Sequence, residues 1–229
     1  MRIAEPLNHP FTTAWPKAFR TVLHSYRNEP EQALAAAQDL VAFSMEQQQQ
    51  YWLAAGVIVS GWGMTHAGKV EEGIAQMQAG ISGYAAIGAG VSLPHFYGLL
   101  AEVLLTAGRL DEAQAALDSA FASVRANKEG VSESALWRIQ GALLEARHPA
   151  DPAQAIDCYR RAVDLPHAAA VLAPRLRAAT ALHKALARQG HDALRDSPLP
   201  RLVARDQATA TTPDLQAARS LLASMTVRH

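Results

Sequence analysis

Residues 61–81 read GWGMTHAGKVEEGIAQMQAGI, residues 101–121 read AEVLLTAGRLDEAQAALDSAF, and residues 141–163 read GALLEARHPADPAQAIDCYRRAV. Each stretch has an apolar helical segment, a short turn and a second, amphipathic helical segment. The small residues Gly73, Ala113 and Ala155 occupy equivalent places in the second segment, at spacings of about 40 residues. A period of this size is typical of stacked helix pairs, because each pair buries its apolar face against its neighbours.

Extension of this period in both directions predicts an all-α fold, a right-handed α-solenoid of about five antiparallel helix pairs. The predicted pairs are 11–49, 50–89, 92–127, 132–166 and 170–225. Residues 1–10 are predicted to form an N-terminal tail, 11–190 the helix pairs, and 191–229 an irregular last pair with a C-terminal capping helix, because Pro198, Pro200 and Pro213 interrupt it. The 47 alanines among 229 residues agree with close helix packing.

Charge and cysteine content exclude several classes of protein. Lys and Arg number 21, as do Asp and Glu, so the uniformly basic surface of a nucleic-acid-binding protein is absent and no nucleic acid is expected. The lone Cys158 excludes an internal disulfide framework. Neither a signal peptide nor a membrane span is recognised, so we predict a cytoplasmic protein. The neutrality is uneven, because residues 1–169 carry five more acidic than basic groups and 170–229 carry five more basic than acidic groups.

The repeats resemble the tetratricopeptide repeat (TPR) family. The first helix of that family reads W-x2-L-G-x2-Y and the second reads A-x3-F-x2-A. The corresponding residues here are Trp137-x2-Gln140-Gly141-x2-Leu144, Ala113-x3-Leu117-x2-Ala120 and Ala155-x3-Tyr159-x2-Ala162. The resemblance implies a non-catalytic scaffold that binds proteins or peptides, although the period of about 40 residues, rather than 34, predicts longer helices.

A narrower resemblance concerns the phrases YWLAAGVIVSGWGMTHAGKVEEGIAQMQAGI at residues 51–81, HFYGLLAEVLLTAGRLDEAQAALDSA at 95–120 and TTPDLQAARSLLASM at 211–225. They are similar to the C-terminal helical-repeat region of bacterial signalling ATPases, adenylyl cyclases and related transcriptional regulators. This resemblance implies a scaffold or sensor role in bacterial signal transduction. It leaves open whether the chain acts alone or as a piece of a larger ATPase or cyclase system.

No catalytic or metal-binding motif is complete. Residues 63–69 resemble a phosphate-binding loop, but Val70 stands where a magnesium-binding hydroxyl is needed, and a helix is predicted where a strand should precede. The nine histidines form no HExxH pattern. Cys158 has no recognisable activating base in the sequence. We therefore predict no enzyme activity, no cofactor and no metal site.

A concave face lined by the first helix of each pair is the predicted binding surface. The ligand-facing positions of the TPR family, carried over onto this sequence, select Trp62, His66, His95, Glu102, Arg138, Glu145, Arg177 and Lys184. The same positions also select Trp15, Ser25, Tyr26, Thr65 and Arg188. The basic last pair favours a protein or peptide partner of acidic character, and an exposed end of the array could support a homodimer.

One alternative remains open at this stage. The chain could be an effector-sensing domain that binds a small molecule within the array of helices. This alternative predicts a deep pocket lined by Trp62, His66 and His95 in place of an open groove.

Overall fold

The computed structural model describes residues 10–165, 172–205 and 212–226. Within these ranges the regular structure is entirely α-helical, which confirms the predicted fold class. The helices are α1 Pro10–Tyr26, α2 Pro30–Glu46, α3 Gln50–His66, α4 Val70–Ala86, α5 Leu93–Thr106, α6 Leu110–Asn127, α7 Glu133–Arg147, α8 Ala153–Asp164, α9 Leu172–Arg188, α10 Ala193–Asp196, α11 Leu199–Arg205 and α12 Pro213–Thr226. In the described ranges, no helix is both long and apolar enough to cross a membrane.

The first four helices follow a strict register, because each has 17 residues and successive helices begin 20 residues apart. Two such helices with their three-residue turns account for the predicted period of 40. Each turn has a residue with positive φ at its centre, and the same spacing continues into the third pair: Asn28, Gln48, Gly68, Gly88, Gly108 and Lys128. The backbone N–H of the residue after each positive-φ residue then donates to a carbonyl five residues earlier, for example Lys69 to Met64 at 3.0 Å.

Close antiparallel contact between α3 and α4 depends on glycine. A Cβ atom added to Gly61 would lie 2.7 Å from the carbonyl oxygen of Gly73, and one added to Gly73 would lie 2.5 Å from that of Gly61. Further along the same pair, Gly80 of α4 faces Ile58 of α3. The small residues that defined the sequence repeat are therefore the points at which two helix backbones meet.

The chain divides into two compact units, Met1–Ser123 and Val124–His229. In the first unit α3 contacts α1, α2, α4 and α5. Its sequence, QYWLAAGVIVSGWGMTH, has no Asp, Glu, Lys or Arg, as expected of a helix surrounded by others. This helix is the centre of the unit.

In the second unit α9 takes the central place, with contacts to α7, α8, α10, α11 and α12. The last pair is irregular, because α10, α11 and α12 stand where a single second helix would be expected. The side chain of Asp192 caps α10 by accepting a hydrogen bond from the N–H of Arg195. Thr212 accepts one from the N–H of Leu215 at 3.3 Å, so it caps α12 as its position before Pro213 predicts. The polar tract at residues 206–211, where the sequence predicts a loop before the capping helix, lies outside the described residues.

Candidate functional site

Four helices of the second unit enclose a polar depression of about 340 Å³, which we call the charged cleft. Its walls come from α7, α8, α9 and α12. The residues that line it are Arg138, Glu145, Tyr159, Arg177, Thr180, Ala181, Lys184, Arg188, Asp214 and Ala217. The four site residues predicted in this unit, Arg138, Glu145, Arg177 and Lys184, are all brought together here, with Arg188 beside them.

Glu145 is held at the centre of the charged cleft by two donors. The phenol of Tyr159 donates to its Oε2 atom at 2.9 Å, and Arg188 donates to its Oε1 atom. Burial and the negative charge of Glu145 raise the pKa of Tyr159 far above its ordinary value, so the phenol remains a donor at neutral pH. Across the cleft, Nε of Arg177 lies 3.4 Å from Oδ2 of the buried Asp214.

Gly141 explains why Tyr159 reaches Glu145. A Cβ atom at residue 141 would lie 2.5 Å from the ring of Tyr159 and 3.0 Å from the carbonyl oxygen of Ala155. The absent side chain lets the phenol ring lie over α7 and extend one turn further along it. The glycine of the repeat motif thus positions a polar group of the cleft.

The structure corrects two of the predicted site residues in the first unit. Trp62 is only 2% exposed, and it belongs to the core around α3. His95 is 5% exposed, its ring stacks on Tyr26 with centroids 3.9 Å apart, and Nε2 lies 2.8 Å from Oγ of Ser25. The end of α1 therefore covers the start of α5, and neither side chain is an anchor on an open surface.

The two other predicted residues of this unit are not joined to them in a pocket. His66 is exposed at the end of α3, where its Nδ1 atom donates to the carbonyl oxygen of Trp62 at 3.0 Å. Glu102 is half-buried on α5. The pocket of Trp62, His66 and His95 that a small-molecule sensor was predicted to have is therefore not formed, because two of its members are buried in packing contacts.

A second depression, which we call the aromatic cleft, lies elsewhere in the first unit and has a volume of about 410 Å³. Seven of the chain's 14 aromatic side chains line it. The described residues that line it are Phe11, Trp15, Ala18, Phe19, Val22, Tyr51, Trp52, Ala55, Tyr84, Val91, Ser92 and Phe96. Of the positions selected from the sequence, Trp15 lies here.

The sequence contains a signal for this cleft in α1. Its small residues Ala14 and Ala18 are buried, whereas Phe11, Trp15 and Phe19, four residues apart, remain 45%, 49% and 60% exposed. An amphipathic helix ordinarily buries its large apolar side chains and exposes its polar ones. The inverted arrangement marks α1 as a helix that presents aromatic rings outside the core.

No cluster of three or more His, Cys, Asp or Glu side chains that could hold a metal ion occurs among the residues the structure describes. Cys158 is half-buried on α8, and burial raises the pKa of its thiol, with Asp157 adding to the effect. A thiol in this environment is not an activated nucleophile at neutral pH.

The sequence matches no protein-family model, and it matches no curated protein. Its fold is similar to the crystal structure of a protein from Podospora anserina assigned as a kinesin light chain, which has nearly identical TPR-like repeats. The two chains superpose with a TM-score of 0.53 at 15% sequence identity, over 94% of this chain and 98% of the other. This chain therefore has the fold of a TPR-like helical repeat protein.

Proposed function

We propose that this chain is a non-catalytic binding module whose charged cleft takes an acidic segment of a partner protein. The observation that carries this proposal is the charge of the cleft. The described residues of its lining include four cationic side chains, Arg138, Arg177, Lys184 and Arg188, and two carboxylates, Glu145 and Asp214. A cleft with excess positive charge attracts carboxylates and orients them.

Lys184 is the cation best placed to meet a partner. Arg188 already forms an ion pair with Glu145, and Arg177 already forms one with Asp214. Lys184 is exposed, and no carboxylate lies within 4.0 Å of its ammonium group in the part of the chain that the structure describes. An incoming carboxylate would pair with it without first displacing an internal partner.

The setting that we propose is a bacterial signal-transduction system in the cytoplasm, in which the module is a scaffold or sensor. The support for this setting is the resemblance of residues 51–81, 95–120 and 211–225 to the repeat regions of bacterial signalling ATPases and cyclases. The alternative role, effector sensing by such a system, is favoured by one separate observation, the aromatic cleft.

The test is a fluorescence-anisotropy titration of the full chain with a fluorescein-labelled peptide of alternating Glu and Gly, at low and at physiological salt. We expect Lys184→Gln and Arg138→Gln to weaken binding by about fivefold or more, since a hydrogen bond to a charged group contributes about 1.5–3 kcal/mol. Binding should also weaken as salt screens the cleft.

The matched control is Arg160→Gln, which removes an exposed arginine of α8 that pairs with Asp157 outside the cleft. It should leave the affinity nearly unchanged. Equal binding of a peptide with Gln in place of Glu would refute the acidic-partner proposal. Equal losses from Arg160→Gln and Lys184→Gln would refute the cleft as the site.

A further inference from the structure

We infer that the aromatic cleft is a small-molecule site, and that its ligand is an uncharged, flat aromatic compound with one hydrogen-bond donor. This inference concerns the first unit alone. It does not depend on acidic-peptide binding in the second unit, and the two can fail separately.

The size and lining of the cleft are those of a ligand pocket. Its volume of about 410 Å³ falls within the roughly 300–1,000 Å³ range of small-molecule sites, which are lined mainly by apolar and aromatic side chains. Exposure of three large rings in one helix, Phe11, Trp15 and Phe19, costs free energy in water. A ligand that covers these rings would recover that free energy.

The walls of the cleft are already in place. Trp15 meets Trp52 edge-on with centroids 5.5 Å apart, and Tyr51 meets Trp52 edge-on at 4.7 Å. Tyr84 in turn meets Phe96 edge-on at 5.4 Å. Rings that hold one another in this way lose little conformational freedom on binding, so a flat ligand can stack against them at low entropic cost.

The chemistry of the lining defines the ligand. Among the described residues that line the cleft, none is Asp, Glu, Lys, Arg or His, so a charged ligand would lose its hydration without compensation from them. The phenol oxygen of Tyr84 lies 2.7 Å from that of Tyr51 and 2.8 Å from the carbonyl oxygen of Val91. Because the carbonyl oxygen of Val91 can only accept, the hydroxyl of Tyr84 donates its single proton to it. The hydroxyl of Tyr51 therefore donates to the phenol oxygen of Tyr84.

Tyr51 has then used its proton and offers oxygen lone pairs to a ligand. Because this group is an acceptor, the ligand should carry a hydroxyl or amine donor at one end of an aromatic body. An extended peptide fits less well, since its many backbone N–H and C=O groups would be buried against rings that cannot pair with them.

The experiment uses calorimetric titration of the full chain with 2-naphthol, and with 2-methoxynaphthalene as a probe of similar shape that lacks the donor. We expect one saturable site for 2-naphthol. The methoxy compound should bind at least fivefold more weakly, because it cannot donate the hydrogen bond that the naphthol hydroxyl donates to Tyr51. Tyr51→Phe should weaken the binding of 2-naphthol by about the same factor and leave the affinity for 2-methoxynaphthalene unchanged.

Trp15→Ala should weaken the binding of both probes by about tenfold or more, because it removes a wall of the cleft. Phe19→Ala is the second variant, should Trp15→Ala not retain native helicity. The matched control is Met45→Ala, which removes a large apolar side chain of α2 that is 64% exposed and does not line the cleft. It should not change either affinity.

Three outcomes would overturn the inference. The first is the absence of saturable 2-naphthol binding up to its solubility limit. The second is binding that Trp15→Ala and Phe19→Ala leave intact. The third is a dimer in sedimentation that Trp15→Ala dissociates and 2-naphthol does not, since a second copy of the chain would then be the occupant.

Discussion

The charged cleft and the aromatic cleft are both lined mainly by the first helices of the helix pairs, yet their chemistry is opposite. In the second unit α7 and α9 present Arg, Lys and Glu. In the first unit the residues of α1, α3 and α5 that line the cleft include aromatic rings and no charged side chain. The repeat therefore specifies where a depression forms, whereas the side chains of the first helices specify what it can bind.

The central helices show why one rule for site residues gave different results in the two units. Residue positions taken from the TPR family select charged-cleft residues on α7 and α9. On α3 they select Trp62, which is 2% exposed in the core. The number of neighbouring helices does not explain the difference, because α9 contacts five helices and α3 contacts four. A position in the repeat predicts exposure only where the neighbouring helices leave that face of the helix uncovered.

The largest expected effect comes from the two tryptophans of the first unit. Trp62→Ala should lower the free energy of unfolding by about 3–5 kcal/mol, since it leaves a cavity in the core. Trp15→Ala, at a residue 49% exposed in the aromatic cleft, should cost less than about 1.5 kcal/mol. Urea denaturation measures both, and equal losses would contradict the division of this unit into core and cleft.

The next effect concerns the close contact between α3 and α4. Gly73→Ala should destabilise the protein by about 1–3 kcal/mol, because its Cβ atom would press on the carbonyl oxygen of Gly61. Gly83→Ala on the same helix is the control. No atom lies within 4 Å of an added Cβ there, so that change should stabilise the helix by about 0.5–1 kcal/mol.

A third prediction tests the second unit through pH. His183 is fully buried beside Ser197, with Nδ1 and Oγ 3.1 Å apart, and burial lowers the pKa of its imidazole. Below pH 6.5 the unfolded chain therefore takes up a proton that the folded chain resists, and the stability that neutral His183 contributes declines.

The slope from this one group is at most about 1.4 kcal/mol for each pH unit, beginning near pH 6.5 and ending at the lowered pKa of the folded state. Thermal unfolding of the chain and of His183→Gln between pH 5 and 8 measures it. The variant should show a shallower loss on acidification, and parallel curves would exclude His183 as the source. His191→Gln, an exposed histidine of the same unit, is the control.

The smallest effect concerns the turns. Gln48 has a φ of +54°, a conformation that a side chain disfavours. Gly68 occupies the equivalent place in the next connection between helices, with a φ of +88°. Gln48→Gly should therefore stabilise the protein by up to about 1 kcal/mol in urea denaturation. Gln47→Gly, at a neighbour with φ of −92°, should not stabilise it, and a gain there would contradict the argument from backbone conformation.

Local patterns predicted most of the fold. The boundaries of the helix pairs follow from the 40-residue period, and the cap at Thr212 follows from its place before Pro213. Arg138, Glu145, Arg177 and Lys184, which the sequence selected for a binding face, all line the charged cleft, and their role in binding stays a prediction. These inferences succeed because helix length, turn chemistry and charge act over a few residues.

The sequence by itself determined that the chain forms paired helices with small residues at their contacts, since that pattern depends on propensity and periodicity. Only the tertiary structure decided that α1 covers His95, that Trp62 belongs to the core, and that residues as distant as Phe11 and Phe96 line one cleft. Burial depends on how many helices surround a given face, and that number is set by long-range packing.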